Sequence, residues 1–487
     1  MLPQDFINRT KRLLQDEYDA FEKASGMLPP VSIRMNPHKS LSGNLSGRYE
    51  KIPWCETGYI LPERPSFTFD PLFHAGAYYV QEASSMFLEQ AVACIMKADH
   101  SLRDKITTLD LCAAPGGKST HLLTLLPERS LLVSNETIRS RSMILAENIT
   151  KWGSPHHITT HNDPKDFGKL KHLFDIILAD LPCSGEGMFR KDAAGRDEWS
   201  IENVKLCASR QRRIIYDVWE SLKPGGWLIY STCTFNTEEN EDNVYELANE
   251  LGAEIIPIPV KPEWNIAGAS GRNIPVYRFF FHRTRGEGFF LALMRKNKNP
   301  AGGRPIITGH KDRKQTVTVP TELKHMLTEP EKFAFFTDGK PPTGNASGKR
   351  TGTASGHQAR HTLPTGQVYA IPEEHKDIYR FLAGRLKIMA AGVTLGEYKG
   401  LDFVPSVSLA LNTGINPEAF PAVDLSYDNA IRYLQKESIA LPDHTPKGYI
   451  LLTYRHTALG FVKNIGNRAN NLYPQEWRIR SRKNLSL

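Results

Sequence analysis

Apolar residues recur at helical spacing from the start of the chain. Phe6, Leu13, Leu14, Tyr18 and Phe21 share one side and predict helical segments with a buried stripe. Residues 32 to 36 alternate polar and apolar and read as a strand stopped by Pro37. Helical spacing returns near Gln81, where Ala83, Met86, Phe87, Ala91, Cys94 and Ile95 share a face. Cys94 is expected there as a small buried hydrophobe. Trp54, Cys55, Tyr78 and Tyr79 are expected to pack. Together these elements make residues 1–105 an accessory α+β unit.

The pattern then becomes an alternation of strands and helices from about 106 to 297, which predicts an α/β unit with a parallel sheet covered on both faces. Strands are expected at 106–111, 130–136, 157–163, 174–180 and 226–230. A helix over 201–222 should bury Val204, Ile215, Val218, Trp219 and Leu222, with Cys207 in its core and Arg210, Arg212 and Arg213 at or near the exposed side. Residues 275–281 and 288–294 read as a hairpin that closes the sheet, with His282, Arg283 and Arg285 in its turn. Residues 298–366 are read as a linker, richest in Gly, Ser, Thr and basic residues over 338–366. Order is expected again from 367, with strands at 368–371, 393–395 and 448–454 and a helix at 378–382.

A chain of 487 residues is too long for one core and implies several domains. Its 40% hydrophobic and 23% charged residues suit a soluble globular protein. No apolar run reaches about 18 residues, and Pro3, Asp5, Asn8, Arg9, Lys11 and Arg12 interrupt the N-terminus, so a cytoplasmic location without membrane contact is expected. Six widely spaced cysteines with no C-x-x-C pair argue against disulfides and against a structural metal. A net charge of +8 and a pI near 9.0 favour a polyanionic partner without choosing between RNA and DNA.

Candidate chemistry gathers where predicted strands end. Asp110-Leu-Cys-Ala-Ala-Pro-Gly-Gly-Lys118 leads from strand to helix through a Gly-rich turn, which brings backbone amides and a helix N-terminus to a ligand. Position 112 is Cys where a P-loop needs Gly, and the adjacent glycines do not fit G-x-G-x-x-G. Glu136 follows the second strand, where an acid can accept ribose hydroxyls, and Asp163 follows the third, as an adenine contact or a helix cap. Two further strands run into Asp180-Leu-Pro-Cys183-Ser-Gly and Ser231-Thr-Cys233-Thr234. Both thiols therefore sit past the carboxyl edge of the sheet, on the side of the glycine turn.

These motifs resemble the S-adenosylmethionine-dependent RNA cytosine-5 methyltransferases, and within them the bacterial ribosomal-RNA enzymes of the RsmF type. The likeness rests on the glycine turn, on the stretch 180–188, on Ser231 to Thr234 with Glu238, Glu239 and Asn240, and on the C-terminal stretch 460–477. It implies a class I, Rossmann-like methyltransferase domain at 106–297. Around it would lie an N-terminal RNA-binding accessory domain at 1–105, a region at 367–425 preceding the last module, and a PUA-like β-barrel at 426–487. The residues alone do not decide which cysteine attacks the base. The resemblance implies Cys233 as the nucleophile, Cys183 as the release residue, and Asp180 facing both cofactor and base. It implies cofactor contacts from Cys112, Ala113, Ala114, Pro115, Gly116, Gly117 and Lys118, with Glu136 at ribose and Asp163 near adenine.

RNA contacts are expected from Arg190 and Lys191 after the Pro-Cys turn and from Lys463 and Arg468 in the last module, where Arg478, Arg480, Arg482 and Lys483 add basic surface. The partner implied is small-subunit (16S) ribosomal RNA or the subunit itself, with no DNA and a monomeric enzyme. The alternatives are a transfer-RNA cytosine-5 methyltransferase and a non-catalytic RNA-binding assembly factor.

Overall fold

The computed structural model describes residues 2–39, 49–298, 316–339, 366–400 and 402–481. At its centre five strands pair in parallel: β1 (Thr107–Asp110), β2 (Leu131–Asn135), β3 (His157–Thr160), β4 (Phe174–Asp180) and β5 (Leu222–Thr232), in the spatial order β3-β2-β1-β4-β5. Both faces are buried, as a parallel sheet requires. Ile177 and Leu228 point into one apolar cluster with Ile215 and Phe290, whereas Ile176, Leu178, Trp227 and Ile229 point into the other with Leu122 and Leu132. That alternation is the period of two of an extended chain.

Three strands lie beyond β5: β6 (Ala253–Ile256), β7 (Tyr277–Phe279) and β8 (Phe289–Lys296). The expected hairpin is β7–β8, and β8 runs antiparallel between β5 and β6. At the opposite edge β9 (Ile388–Ala391) pairs antiparallel with β3, so a strand from the span 367–425 completes the nine-stranded sheet.

The helices that position the site follow their strands. α1 (Gly117–Leu125) starts in the glycine turn, α2 (Arg139–Trp152) follows β2, α3 (Pro164–Gly168) follows β3, α4 (Ile201–Val218) leads into β5, and α5 (Asn243–Leu251) leads into β6. α4 is shorter than the periodicity suggests. A tight 3-10 turn, Trp219–Ser221, ends it, and Leu222 is already extended, two residues before Pro224. Cys94 also departs from expectation, being half-buried with its sulfur 3.7 Å from the Pro257 carbonyl.

The N-terminal part contributes two leading helices, Gln4–Leu14 and Tyr18–Ser25, a four-stranded antiparallel sheet, a short helix, Pro71–His74, and the helix Leu88–Ala98, which a 3-10 turn at Ser84–Phe87 precedes. Arg34 fastens that sheet to α1. Its fully buried guanidinium donates to Gln81 Oε1 at 2.8 Å and Thr120 Oγ1 at 2.6 Å and lies over the Trp152 ring. The leading helices pack Phe6, Tyr18 and Phe21 against Phe189, Trp199 and Phe235, which follow the two cysteine turns, and against Phe280 and Phe281, which follow β7.

Within the span read as linker, residues 316–339 carry a short helix, Thr321–Lys324, and a strand, Phe333–Thr337, paired antiparallel with Gln367–Pro372. The Gly/Ser-rich remainder lies outside the described residues. The last sheet joins Ala422–Asp424, Gly448–Tyr454, Thr457–Asn464 and Ala469–Asn471, and so begins before residue 426.

Candidate active site

Strand order reverses around β1, whose neighbours are β2 and β4, and a crevice opens past the carboxyl ends of the strands there. A cavity of about 510 Å³ fills it, lined by Tyr79, Asp110, Cys112 to Pro115, Gly117, Lys118, Arg141, Asp180, Lys191, Cys233 and Phe289 among others. The N-terminal sheet roofs it through Val31, Ser32, Tyr79 and Val80.

The glycine turn shapes one wall. Gly116 adopts φ 114°, a left-handed conformation suited to Gly, and caps α1. A Cβ on Gly117 would come 3.3 Å from the Tyr79 ring. Asp110 lies at the floor with no exposed surface. Its Oδ2 accepts from Ser119 Oγ at 2.6 Å, and its Oδ1 has no partner. Burial, reinforced by the charges of Asp180 and Glu136, pushes its carboxyl up to about 7 despite the Ser119 bond. Burial, with the same acids, likewise raises the Cys112 thiol.

Register brings the other two motifs together. β4 and β5 pair Asp180 with Ser231, so both strands end at one level and the turns carrying Cys183 and Cys233 leave side by side. Their sulfurs lie 3.0 Å apart, and the Cys233 amide donates to Cys183 Sγ at 3.3 Å. The hydrogen bond with Cys233, and burial after it, drive the Cys183 thiol well above its ordinary range. Of the pair, Cys233 lines the cavity and Cys183 lies behind it.

Asp180 accepts from Ser231 Oγ at 2.7 Å and Lys118 Nζ at 2.8 Å. Burial alone would lower the Lys118 ammonium, but the charge and hydrogen bond of Asp180, with Asp110, more than offset it and raise the group above its usual range. The cation also lies 5.2 Å from the centre of the Phe289 ring.

Glu136 sits one residue past β2, buried. Its Oε1 accepts from the Ile138 amide at 2.9 Å, and Oε2 lies 3.6 Å from Arg141. Asp163 caps α3 through the Lys165 amide at 3.1 Å, half-exposed, and neither acid lines the cavity itself. The two basic loop residues divide. Arg190 is buried on Glu287 at 3.0 Å, over the Phe281 ring, whereas Lys191 reaches the cavity. Arg190 is therefore a structural cation rather than an open loop residue. In the last module Lys463 pairs with Asp402 and Arg468 is exposed. Arg482 and Lys483 lie outside the described residues.

The cavity fits S-adenosylmethionine. Its volume is that of small-ligand sites. The buried, unpartnered Asp110 oxygen suits a cationic group, and the α1 N-terminus suits a carboxylate. Glycine leaves room where a Cβ would crowd Tyr79.

Residues unmarked by the sequence complete the site. Glu186, Gln211 and Asn236 are buried and hydrogen-bonded to the cysteine turns; Glu186 follows the Pro-Cys motif by three residues, which was the available signal.

Residues 100–295 match the family model for 16S rRNA methyltransferase RsmB/F. Residues 2–83 match that for the N-terminal domain of 16S rRNA methyltransferase RsmF, and 420–479 that for the methyltransferase RsmF PUA domain. The ribosomal RNA small subunit methyltransferase F of Aliivibrio fischeri strain ES114 is 31% identical across 98% of this chain and 97% of its own. That of Shewanella woodyi is 29% identical across 98% and 96%. Among solved structures, a methyltransferase homolog protein from Pyrococcus horikoshii is 27% identical, with a TM-score of 0.50, over 60% of this chain and 95% of that one. NSun6 from the same organism, solved with SFG, shares the fold at 20% identity and a TM-score of 0.50, over 61% of this chain and 99% of that one.

Proposed function

The chain belongs to the family of ribosomal RNA small subunit methyltransferase F, S-adenosylmethionine-dependent enzymes, and from that premise we propose that it methylates carbon 5 of a specific cytidine in 16S rRNA through a covalent adduct with Cys233. The observation that carries this reading is the thiol pair. Two sulfurs 3.0 Å apart stand at the ends of adjacent strands, one of them in the cavity beside Asp180 and Lys118.

Carbon 5 of cytosine is a weak nucleophile. A Cys233 thiolate adding to carbon 6 makes carbon 5 enamine-like. Bound S-adenosylmethionine supplies the electrophilic methyl group that this carbon takes. Negative charge that builds on the ring as sulfur adds is met by the Lys118–Asp180 pair. A water molecule in the open crevice takes the carbon-5 proton, the electron pair of that carbon–hydrogen bond reforms the ring double bond, and the carbon 6–sulfur bond breaks with its electrons going to the Cys233 sulfur. Cys183, kept protonated, donates toward the leaving sulfur and so assists release. The cofactor is held by residues 112 to 118, with Glu136 on the ribose side and Asp163 at the adenine end. The target base must leave any stack to reach this crevice, and Lys191 and Arg468 contribute phosphate contacts along the approach.

The test is to express Cys183→Ala in cells, denature the protein, and sequence any RNA that stays attached. A 16S rRNA adduct at one cytidine that disappears in Cys183→Ala/Cys233→Ala is expected. An adduct that survives loss of Cys233 would reject the nucleophile assignment, and a transfer-RNA adduct would reject the substrate.

A further inference from the structure

The two cysteine turns are linked by more than strand pairing. Glu186, three residues beyond Cys183, reaches across to the other turn, where its Oε2 accepts from Thr234 Oγ1 at 2.7 Å and from the amides of Phe235 and Asn236, each at 2.8 Å. Glu239, six residues beyond Cys233, reaches back to accept from the Ser184 amide at 3.0 Å, and also from Asn236 Nδ2 and Gln211 Nε2 at 2.8 Å. Ser184 Oγ and Thr234 Oγ1 meet between them at 2.9 Å. Neither carboxylate faces a cation in this network; both are buried and held by neutral donors. Burying a carboxylate without a counter-charge is costly, so a role beyond packing is implied.

The backbone is shaped for this contact. Glu238–Asp242 forms a π-helical turn, a wide turn that places Glu239, Asn240 and Glu241 inward in succession. Asn240 accepts from Thr232 Oγ1 at 2.6 Å and donates to the Thr234 carbonyl at 3.0 Å, clasping the residues on either side of Cys233. Glu241 pairs with the buried Arg278, whose Nη1 donates to the Phe235 carbonyl at 2.7 Å.

We propose that Glu186 and Glu239 are positioning residues for methyl transfer, a reciprocal brace in which each cysteine turn sends a carboxylate into the other's backbone and so fixes the spacing of the two sulfurs. The proposal rests on the reading of Cys233 as nucleophile and Cys183 as its release partner. Proton donation between sulfurs depends steeply on separation, so a loosened brace slows the chemistry and leaves the cofactor wall, built on β1 and α1, unaltered.

The experiment compares full-length Glu186→Gln and Glu239→Gln with wild type. Each substitution keeps the shape but turns an acceptor of several N–H groups into a group that must also donate. Three quantities are read: the dissociation constant for S-adenosylmethionine, kcat and KM for methyl transfer to small-subunit RNA from cells lacking the enzyme, and capture of phenylarsine oxide, which bridges two adjacent thiols. Expected are wild-type cofactor affinity and KM, kcat lowered about 10- to 100-fold, and weakened arsenical capture. Arsenical capture by Cys183→Ala gives the baseline for losing the pair. Unchanged kcat or unchanged capture would overturn the brace. Should the Gln variants lose cofactor binding as well, Thr234→Val, which removes the hydroxyl that bonds Glu186, Ser184 Oγ and Asn236 Nδ2 but leaves both carboxylates and their backbone contacts in place, decides by the same three readings. A Cys233→Ala enzyme that still turns over would instead refute the underlying nucleophile, leaving the two failures distinct.

Discussion

Asp110→Asn should stabilise the free enzyme while weakening its grip on the cofactor. Asp110 is fully buried at the cavity floor, with one oxygen bonded to Ser119 and the other unpartnered, and its carboxyl is pushed from 3.8 up to about 7. A carboxyl whose folded pKa lies above its unfolded value contributes stability that is complete below the unfolded pKa and lost as pH rises through the folded one. Across the window from 3.8 to about 7 the loss is of order 4 kcal/mol at 1.36 kcal/mol per pH unit. Between pH 5.5 and 8.0 about 2 kcal/mol of that remains to be lost. Asparagine keeps the acceptor for Ser119 and carries no charge to bury. Urea unfolding of the apo proteins at those two pH values should therefore show the variant gaining about 2 kcal/mol on wild type from the lower to the higher. In calorimetric titrations at pH 8 the variant should bind S-adenosylmethionine about tenfold or more weakly, the scale of a hydrogen bond to a charged group. A stability difference independent of pH would refute the buried-charge argument, and unchanged cofactor affinity would refute the placement of Asp110 against the ligand's cationic part.

The two basic residues after the Pro-Cys turn should behave differently. Arg190→Ala leaves Glu287 buried without its main partner and should cost roughly 3–5 kcal/mol in chemical denaturation, whereas Lys191→Ala, which removes only the longer 3.3 Å ion pair to the same carboxylate, should cost less stability and lower the salt slope of RNA binding by about 1. Breaking the buried Glu241–Arg278 pair with Glu241→Gln should likewise destabilise by roughly 3–5 kcal/mol; a loss under about 1 kcal/mol would show that the Arg278 contact with the Phe235 carbonyl carries that corner unaided. Gly117→Val should abolish cofactor binding in titration while the apo protein still folds, because the added carbons meet the Tyr79 ring and fill the cavity wall.

Much of this fold is written locally. Apolar runs at 106–111, 130–136 and 174–180 become strands with little shift, because a strand buried on both faces must be apolar along its length. The strands that the local pattern does not predict lack that signature. Ala253–Ile256 has four residues, squeezed between Gly252 and Pro257 with Glu254 exposed, and owes its state to β8 beside it. Ile388–Ala391 is half-buried throughout and exists as a strand by pairing with β3, more than two hundred residues earlier in the chain. Phe333–Thr337 carries a local signal, three aromatics in four residues, beside Gly- and Ser-rich residues that signal a linker.

The site divides in the same manner, and the division follows from what spacing can encode. Asp180, Cys183, Cys233 and the glycine turn are legible because each ends a strand, and strand ends share an edge whatever the loops do. Spacing does not encode register. The distance between the sulfurs is set because Asp180 stands opposite Ser231; a one-residue slip between β4 and β5 would send each side chain to the other face and separate the thiols. Glu186 and Glu239 oppose a subtler error, rotation of the turns themselves once the strands have ended, since their carboxylates bind backbone amides that strand pairing no longer holds. Arg190 shows the converse. As a cation in a polar loop it reads as an RNA contact, yet Glu287, ninety-seven positions on, buries it. A charged residue's role therefore depends on a partner the local sequence does not display, and in this chain such distant partners decide which charges are buried in ion pairs and which stay at the surface.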